Sequence, residues 1–256
     1  MTARVHCALD DGVARLTVDN PPLNLLSLDV RAELAGHARR LAADDGCRVV
    51  VVAGAGERAF SAGSDVREFP DGVDGGIERA EKEHAWFAAL AELPQPTIAA
   101  LHGHVLGGGL ELALTCDIRI ADAGIRLGFP EVGLGLVPCG GGAARLPHLI
   151  APSRAYRLLL TGERIDAGQA LQYGLVDGIA PLAGALDLAA RIAAAPGGAT
   201  RAIKATVRAS LAGGVDAGLD AETRLGGPLF ATEDARRAVR GFRTERRNHG
   251  GSADPA

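Results

Sequence analysis

Two glycine-rich stretches of this 256-residue sequence contain residues that could bind and polarise a carbonyl oxygen. They are residues 60–65, which follow a run of apolar residues, and residues 106–111. Glycine lets a backbone approach a ligand closely, and amides at a helix N-terminus point outward with partial positive charge. One amide from each stretch could donate to the same oxygen and form an oxyanion hole. Glycines that only make turns and close packing explain the pattern equally well.

Two glutamates could supply acid–base chemistry near such an oxygen. Glu111 ends the second glycine-rich stretch, and Glu131 follows twenty residues later, after Gly128-Phe129-Pro130. Both are flanked by apolar residues, and glutamate is seldom buried unless it is paired or functional. Burial raises the pKa of a carboxyl group and a second carboxylate raises it further, so such a pair could exchange protons near neutral pH. By residue pattern alone, two surface glutamates on short loops remain the simpler interpretation.

Other common catalytic motifs are incomplete in this sequence. Gly54-Ala55-Gly56 lacks the third glycine of a dinucleotide-binding loop, no G-x-S-x-G motif is present, and no P-loop lysine follows a glycine run. His102 and His104 could contact a metal ion, but the sequence pattern offers no third ligand beside them. The arginine-rich residues 233–247 predict a solvated helix face or, alternatively, a contact to phosphate.

The candidate residues lie between segments that predict alternating strands and helices. A mostly apolar run at residues 48–53 predicts a strand buried on both faces, residues 97–101 predict a second buried strand, and residues 118–121 predict a further strand. One helix is predicted from the N-cap Ser27 to about residue 43, and a second over residues 77–93. A third is predicted to begin in the second glycine-rich stretch and to end at residue 114. A hairpin over residues 5–18, a mobile loop at 70–76, and C-terminal helices at 200–211 and 233–247 complete the prediction. This order of elements indicates an α/β protein with a helical C-terminal segment.

Composition argues against several functional classes. Hydrophobic residues make up 47% of the chain and charged residues 23%, which is typical of soluble globular proteins. The net charge of −4 gives no general attraction to nucleic acid. The four cysteines form no C-x-x-C pair and match no zinc spacing, which predicts isolated reduced thiols. No signal sequence or long apolar segment is evident, so we expect a cytoplasmic protein.

Several separate motifs, in the right order, resemble the crotonase (enoyl-CoA hydratase/isomerase) superfamily over residues 13–247, nearly the whole chain. The motifs are Asn20-Pro21-Pro22-Leu23-Asn24, residues 59–65, residues 102–113, Cys116-Asp117, residues 129–135 and residues 160–165. The resemblance implies an α/β fold in which residues 1–195 form a crotonase-like spiral of strand–strand–helix (ββα) turns that carries the CoA and catalytic site. It implies that residues 196–256 form a helical trimerisation region, and that the protein is a homotrimer or a dimer of trimers.

The resemblance also implies a reaction, the reversible hydration of a 2-enoyl-CoA thioester to a 3-hydroxyacyl-CoA through an enolate. The backbone N–H groups of Ser64 and Gly108 would form the oxyanion hole and bind the enolate more tightly than the substrate, which lowers the barrier. Glu111 would activate water for attack at the β carbon, and Glu131 would deliver a proton to the α carbon. Neither a metal nor a redox cofactor is implied, because coenzyme A is part of the substrate.

Coenzyme A contacts are implied for Ala62, through the loop backbone, and for Arg67 and Arg164, with a weaker claim for Arg246 and Arg247. Three features depart from the common hydratase pattern: Ser64 replaces an alanine, Cys139 a glycine, and Ala143-Ala144 a Thr-Gln pair. The acyl substrate is therefore not predicted.

Two other functions stay open within this resemblance. One is an enoyl-CoA delta isomerase or another CoA lyase of the same fold, and the other is a non-catalytic scaffold or RNA-binding member. The presence of both Glu111 and Glu131 favours the hydratase, since isomerases of the family commonly lack one of these carboxylates. The acidic net charge argues against RNA binding.

Overall fold

The computed structural model describes residues 4–249, with side chains up to residue 244. The chain divides into two compact units, Met1–Ala193 and Ala194–Ala256. The boundary predicted from the sequence, at residues 195/196, lies two residues further along the chain. Within residues 4–249, no helix has the length and apolar character needed to cross a membrane.

The first unit contains two sheets whose strands alternate along the chain. The strands are β1 (Arg4–Asp10), β2 (Val13–Asp19), β3 (Val49–Gly54), β4 (Ala59–Ser61), β5 (Thr97–Leu101), β6 (His104–Leu106), β7 (Ile118–Ala121), β8 (Arg126–Gly128) and β9 (Gly178–Ile179). The larger sheet has the order β1-β2-β3-β5-β7-β9 and is parallel except for the β1–β2 hairpin. The smaller sheet, β4-β6-β8, is parallel throughout. Three successive turns of the chain therefore give one strand to each sheet, and the predicted α/β fold of ββα turns is confirmed.

The larger sheet is buried on both faces, as its apolar runs predict. In β3, Val50 and Val52 point into one hydrophobic cluster, whereas Val49 and Val51 point into the other. Successive side chains of a strand project to opposite faces, so an uninterrupted valine run is satisfied only when both faces are covered. Apolar side chains therefore cover both faces of the larger sheet, and their burial stabilises it.

The helices confirm part of the sequence prediction and correct part of it. They are α1 (Leu28–Ala42), α2 (Gly72–Ala91), α3 (Gly108–Ala113), α4 (Gly142–Arg145), α5 (Pro152–Thr161), α6 (Ala167–Tyr173), α7 (Leu182–Ala194), α8 (Gly197–Gly226) and α9 (Glu233–His249). Ser27 caps α1 as predicted, its hydroxyl accepting from the Val30 amide at 3.3 Å. The predicted loop at residues 70–76 is wrong, because α2 already begins at Gly72. Ile77 is 54% exposed and lies outside the buried face of α2, which contains Phe87 and Leu90.

The second unit is helical, and its long helix carries many exposed apolar side chains. Helix α8 is far longer than predicted and is interrupted at Gly214, whose φ of 80° and ψ of −177° are not helical. A polar stripe is the usual solvent face of a helix. The second unit instead exposes several large apolar residues: Ile203, Val207, Leu211, Val215, Leu219, Phe230, Val239 and Phe242.

Candidate active site

The two predicted oxyanion amides lie on neighbouring loops that touch each other. Ser64 follows β4 and Gly108 follows β6, and these strands are adjacent in the smaller sheet. A Cβ atom built on Gly108 would lie 3.2 Å from the Ser64 hydroxyl oxygen and 3.5 Å from the Ser64 amide nitrogen. Gly63, at a φ of +100°, also lies close to Gly108, because a Cβ atom built on Gly63 would be 3.3 Å from the Gly108 nitrogen. The structure therefore brings both amides together, and only small residues permit this approach.

Glu111 projects from the first turn of α3 into the protein interior, where it is 2% exposed. Its Oε1 accepts a hydrogen bond of 2.8 Å from the Gly142 amide, and a Cβ on Gly140 would lie 2.6 Å from its Oε2. Burial raises the pKa of Glu111 to about 8. The Gly142 hydrogen bond lowers this pKa, whereas the carboxylates of Glu83 and Glu131 raise it.

Glu131 reaches the same region from a 3₁₀ turn, Pro130–Leu134, that follows β8. Its carboxylate packs directly against Gly107, whose φ of +49° and missing side chain make room for it. Burial raises the pKa of Glu131 to about 7, with a hydrogen bond from its own backbone lowering it and Glu83 raising it. The two predicted catalytic carboxyls thus both titrate near neutral pH, unlike ordinary surface glutamates.

Ser64, Glu111 and Glu131 line one cavity of about 340 Å³. The cavity also contains Glu83 and Cys139. Its remaining wall is largely apolar: Phe69, Pro70, Gly72, Gly76, Ala80, Leu136 and Val137, with Arg79 among them. The convergence of several polar groups in an apolar cleft is the usual form of a small-molecule site.

Three charged residues of this region were missed by the sequence analysis. Arg31 and Glu83 are fully or almost fully buried on helices α1 and α2, and Arg79 pairs with Glu83 at the cavity wall. A signal for two of them exists in the sequence. Arg31 lies on the same face as the apolar Leu34, and Glu83 on the same face as Phe87, at the spacing of buried positions.

The residues predicted to bind coenzyme A do not line this cavity. The amide of Ala62 donates to the Leu23 carbonyl oxygen at 2.9 Å. The Arg67 guanidinium contacts both carboxylate oxygens of Asp65, with one of these bonds at 2.6 Å, and its side chain is 82% exposed. Arg164 is exposed beside β8. The coenzyme A role of these residues stays a prediction, and the side chains of Arg246 and Arg247 lie outside the described residues.

One of the two histidines considered as a metal site lies in a different cavity from the carboxyl pair. Among the side chains that the structure describes, no group of three or more His, Cys, Asp and Glu residues is arranged to hold a metal ion. His102 lies instead at the carboxyl end of β5, in a separate cavity that also contains Asp122.

Comparisons with known proteins agree with the geometry. The chain matches the enoyl-CoA hydratase/isomerase family over residues 9–251. It is 34% identical to the short-chain-enoyl-CoA hydratase of Clostridium acetobutylicum, covering 93% of this chain and 94% of that protein. The structure of DspI from Pseudomonas aeruginosa superposes with a TM-score of 0.90 at 34% identity, covering 94% of each chain. An enoyl-CoA hydratase from Bacillus anthracis superposes with a TM-score of 0.89 at 32% identity, covering 94% of this chain and 96% of that one. The match spans both the folded core and the loops that carry the two amides and the two carboxyls, and the chain therefore belongs to the enoyl-CoA hydratase/isomerase family, within the crotonase superfamily.

Proposed function

We propose that this protein is an enoyl-CoA hydratase that adds water reversibly to a 2-enoyl-CoA thioester. The observation that carries the proposal is the placement of two buried carboxyls with pKa values near neutrality in one cavity with Ser64 and beside Gly108. Hydration needs one group that takes a proton from water and one that gives a proton to carbon. Between pH 7 and 8 the two carboxyls hold about one proton between them, which supplies both.

The chemistry follows from this arrangement. The thioester carbonyl accepts hydrogen bonds from the Ser64 and Gly108 amides, which draws electrons away from the β carbon. Glu111 takes a proton from a water molecule as its oxygen bonds to the β carbon, and the negative charge passes to the thioester oxygen as an enolate. Glu131 then gives a proton to the α carbon, and the carbonyl re-forms. Because the charge on that oxygen is greatest in the enolate, the two amides stabilise the transition state more than the substrate.

The distribution of the proton over the carboxyl pair bears on these roles. In the protein without substrate, burial raises the pKa of Glu111 to about 8 and that of Glu131 to about 7, so the pair shares a proton near neutral pH. The two pKa values differ by only about one unit, and they belong to an interacting pair. Binding of the thioester and of a water molecule therefore decides which carboxyl carries the proton when the reaction starts.

The largely apolar wall of the cavity suits a hydrocarbon acyl chain. In this proposal the chain extends along Phe69, Ala80, Leu136 and Val137, while coenzyme A lies outside the cavity near Ala62, Arg67 and Arg164. Leu136 and Val137 also line a second apolar cavity of about 360 Å³. Acyl chains longer than the first cavity would have to pass this pair of side chains.

The exposed apolar side chains of the second unit support self-association. Several large apolar residues along α8 are more than half exposed, including Leu211 at 80% and Val215 at 71%. Exposed apolar patches of this kind mark association surfaces. We therefore propose a homotrimer, or a dimer of trimers, whose mass in solution would be three or six times that of the 26.2 kDa chain.

The activity is tested with crotonyl-CoA and longer 2-enoyl-CoAs, by loss of the absorbance of the conjugated thioester and by transfer of ¹⁸O from water to the β position. Hydration that incorporates ¹⁸O is expected, and Glu111→Gln and Glu131→Gln should each reduce kcat by about 10²–10⁴-fold. Conversion of 3-enoyl-CoA to 2-enoyl-CoA without ¹⁸O uptake would indicate the isomerase instead. Failure to bind any acyl-CoA would indicate a non-catalytic member of the fold.

A further inference from the structure

The guanidinium of Arg31 is completely buried next to the candidate oxyanion hole. Its side chain is 0% exposed, although it lies on a helix whose other buried residues are apolar. A buried charge is costly unless it is paired and hydrogen-bonded, so the position demands specific partners. One nitrogen, Nη1, donates to the carbonyl oxygen of Leu26, which lies just before helix α1.

The other terminal nitrogen of Arg31 connects the helix to the oxyanion loop. Nη2 donates to the Ser64 hydroxyl oxygen at 2.7 Å and lies 3.2 Å from the position of a Cβ atom on Gly108. The hydroxyl that distinguishes Ser64 from the alanine common in hydratases therefore accepts a charge-assisted hydrogen bond from the interior. Such bonds are stronger and more directional than neutral ones. This bond ties the residue that supplies one of the two amides to helix α1.

Two further residues hold Arg31 in place. The Glu83 carboxylate lies 3.3 Å from Arg31 Nη2 and 2.8 Å from Arg79 Nη2, and its side chain is 4% exposed. Arg79 in turn donates to the Glu68 carbonyl oxygen at 3.2 Å and stacks its guanidinium 4.5 Å from the centre of the Phe69 ring. Helix α2 thus braces both Arg31 and the segment that follows Ser64. The Glu83 carboxylate, in ion-pair contact with both guanidinium groups, favours the position of Arg31 beside the hydroxyl.

We propose that Arg31 is a positioning residue of the oxyanion hole, that it acts through the hydroxyl group of Ser64, and that Glu83 holds it in that position. The proposal rests on the proposed hydratase function and adds two residues to it. Arg31 does not touch the substrate in this scheme. It fixes the backbone at Ser64 so that the amide points at the oxygen, and misplacement of such a donor by a fraction of an ångström reduces transition-state stabilisation.

The polarisation of a bound thioester tests the positioning role directly. Butyryl-CoA labelled with ¹³C at the thioester carbonyl cannot be hydrated, and isotope-edited infrared spectroscopy reports the strength of the hydrogen bonds to its oxygen. We expect the carbonyl stretch to fall on binding to the unaltered protein and to return toward its value in water in Arg31→Met. The kcat for crotonyl-CoA should fall by about 10- to 100-fold with a much smaller change in KM, as the loss of a charge-assisted hydrogen bond predicts.

A double-mutant cycle tests whether Arg31 acts through Ser64. Ser64→Ala keeps the amide and removes the hydroxyl, so it should reproduce most of the Arg31→Met effect, and the double variant should be little worse than either single one. Ser64→Thr keeps a hydroxyl and should retain most of the activity. Arg119→Met is the matched control, because Arg119 is a buried arginine of the larger sheet that bonds to Cys116, Leu175 and Asp177. It should lower stability and leave the carbonyl stretch unchanged.

The outcomes separate this inference from the proposed function. If the unaltered protein binds butyryl-CoA without lowering the carbonyl frequency, the oxyanion hole itself is wrong. If the unaltered protein lowers the frequency and Arg31→Met lowers it equally, or if the two single effects multiply in the double variant, the positioning role is wrong. If Arg31→Met does not fold, the carbonyl frequency and kcat of Ser64→Ala and Glu83→Gln test the positioning role instead. Glu83→Gln is expected to give a smaller loss in the same direction.

Discussion

Replacing Glu111 by glutamine should make the protein more stable at alkaline pH while it removes activity. Glu111 is 2% exposed, and burial raises its pKa from 4.5 to about 8. The folded protein therefore tolerates the protonated side chain far better than the ionised one. Glutamine is close in shape to the protonated acid, and its amide oxygen can still accept the 2.8 Å hydrogen bond from Gly142.

The sign and size of the effect follow from the two pKa values. Below about pH 4.5 the carboxyl is protonated in both the folded and the unfolded chain, so its ionisation does not lower the free energy of unfolding. As the pH rises from 4.5 to about 8, the unfolded chain releases the proton and the folded protein retains it, so the free energy of unfolding falls. Above pH 8 the folded protein also ionises and the loss is complete, at about 5 kcal/mol for Glu111.

Urea unfolding at a series of pH values between 4.5 and 9 measures this cost. We expect Glu111→Gln and the unaltered protein to have similar unfolding midpoints near pH 4.5 and the variant to gain steadily above it, by several kcal/mol at pH 9. Glu81→Gln, at an exposed position of α2, is the matched control and should change little at any pH. A Glu111→Gln variant that is no more stable than the unaltered protein at pH 9, or that gains equally at all pH values, would refute the reasoning.

Three further outcomes test other parts of the structure. Gly107→Ala should lower kcat and cost about 1–3 kcal/mol of stability in urea unfolding, because the φ of +49° disfavours alanine and the new Cβ would collide with the Glu131 carboxylate. Arg67→Ala should raise KM about two- to fivefold for crotonyl-CoA and leave KM for crotonyl-pantetheine unchanged, since the exposed guanidinium is proposed to contact a coenzyme A phosphate. An equal change for both substrates would contradict that proposal. Leu211→Asp should reduce the assembly mass measured by light scattering, whereas Leu9→Asp, at an exposed leucine of the first unit, should not.

The strands of the larger sheet could be predicted from the sequence because their signal is local. Strands β5 and β7 have the predicted bounds, 97–101 and 118–121, since each is a short, mostly apolar run that ends at a polar or turn residue. The N-cap Ser27 is recognisable for the same reason, as a serine directly before the periodic apolar residues of α1. The start of α2 was not predictable in this way, because its first five residues include three glycines, which favour a loop on propensity alone.

The smaller sheet and the buried ion cluster could not be predicted from local patterns. Strands β4, β6 and β8 have three residues each, which is too short for a period of two to be visible. The contacts of Arg31 with Glu83 and Ser64 join three separate segments, so only the fold brings them together. The motif positions of the carboxyls were found through the family resemblance, and the structure adds the burial that raises their pKa values.

The three short strands explain why the site can be built from single residues of distant segments. Each is parallel to the next, so their carboxyl ends meet at one edge of the smaller sheet. Ser64 follows β4, Gly108 follows β6 and Glu131 follows β8. Adjacent strands are about 4.8 Å apart, and two amides that each donate to one oxygen over about 2.9 Å need a similar separation. The strand spacing therefore sets the width of the candidate oxyanion hole, and the third strand places a carboxyl one step further along the same edge. A fold that repeats a strand–strand–helix turn thus places two backbone amides and a carboxyl in a row. In the proposed mechanism these are the oxyanion hole and the proton donor, and Arg31 positions one of the two amides.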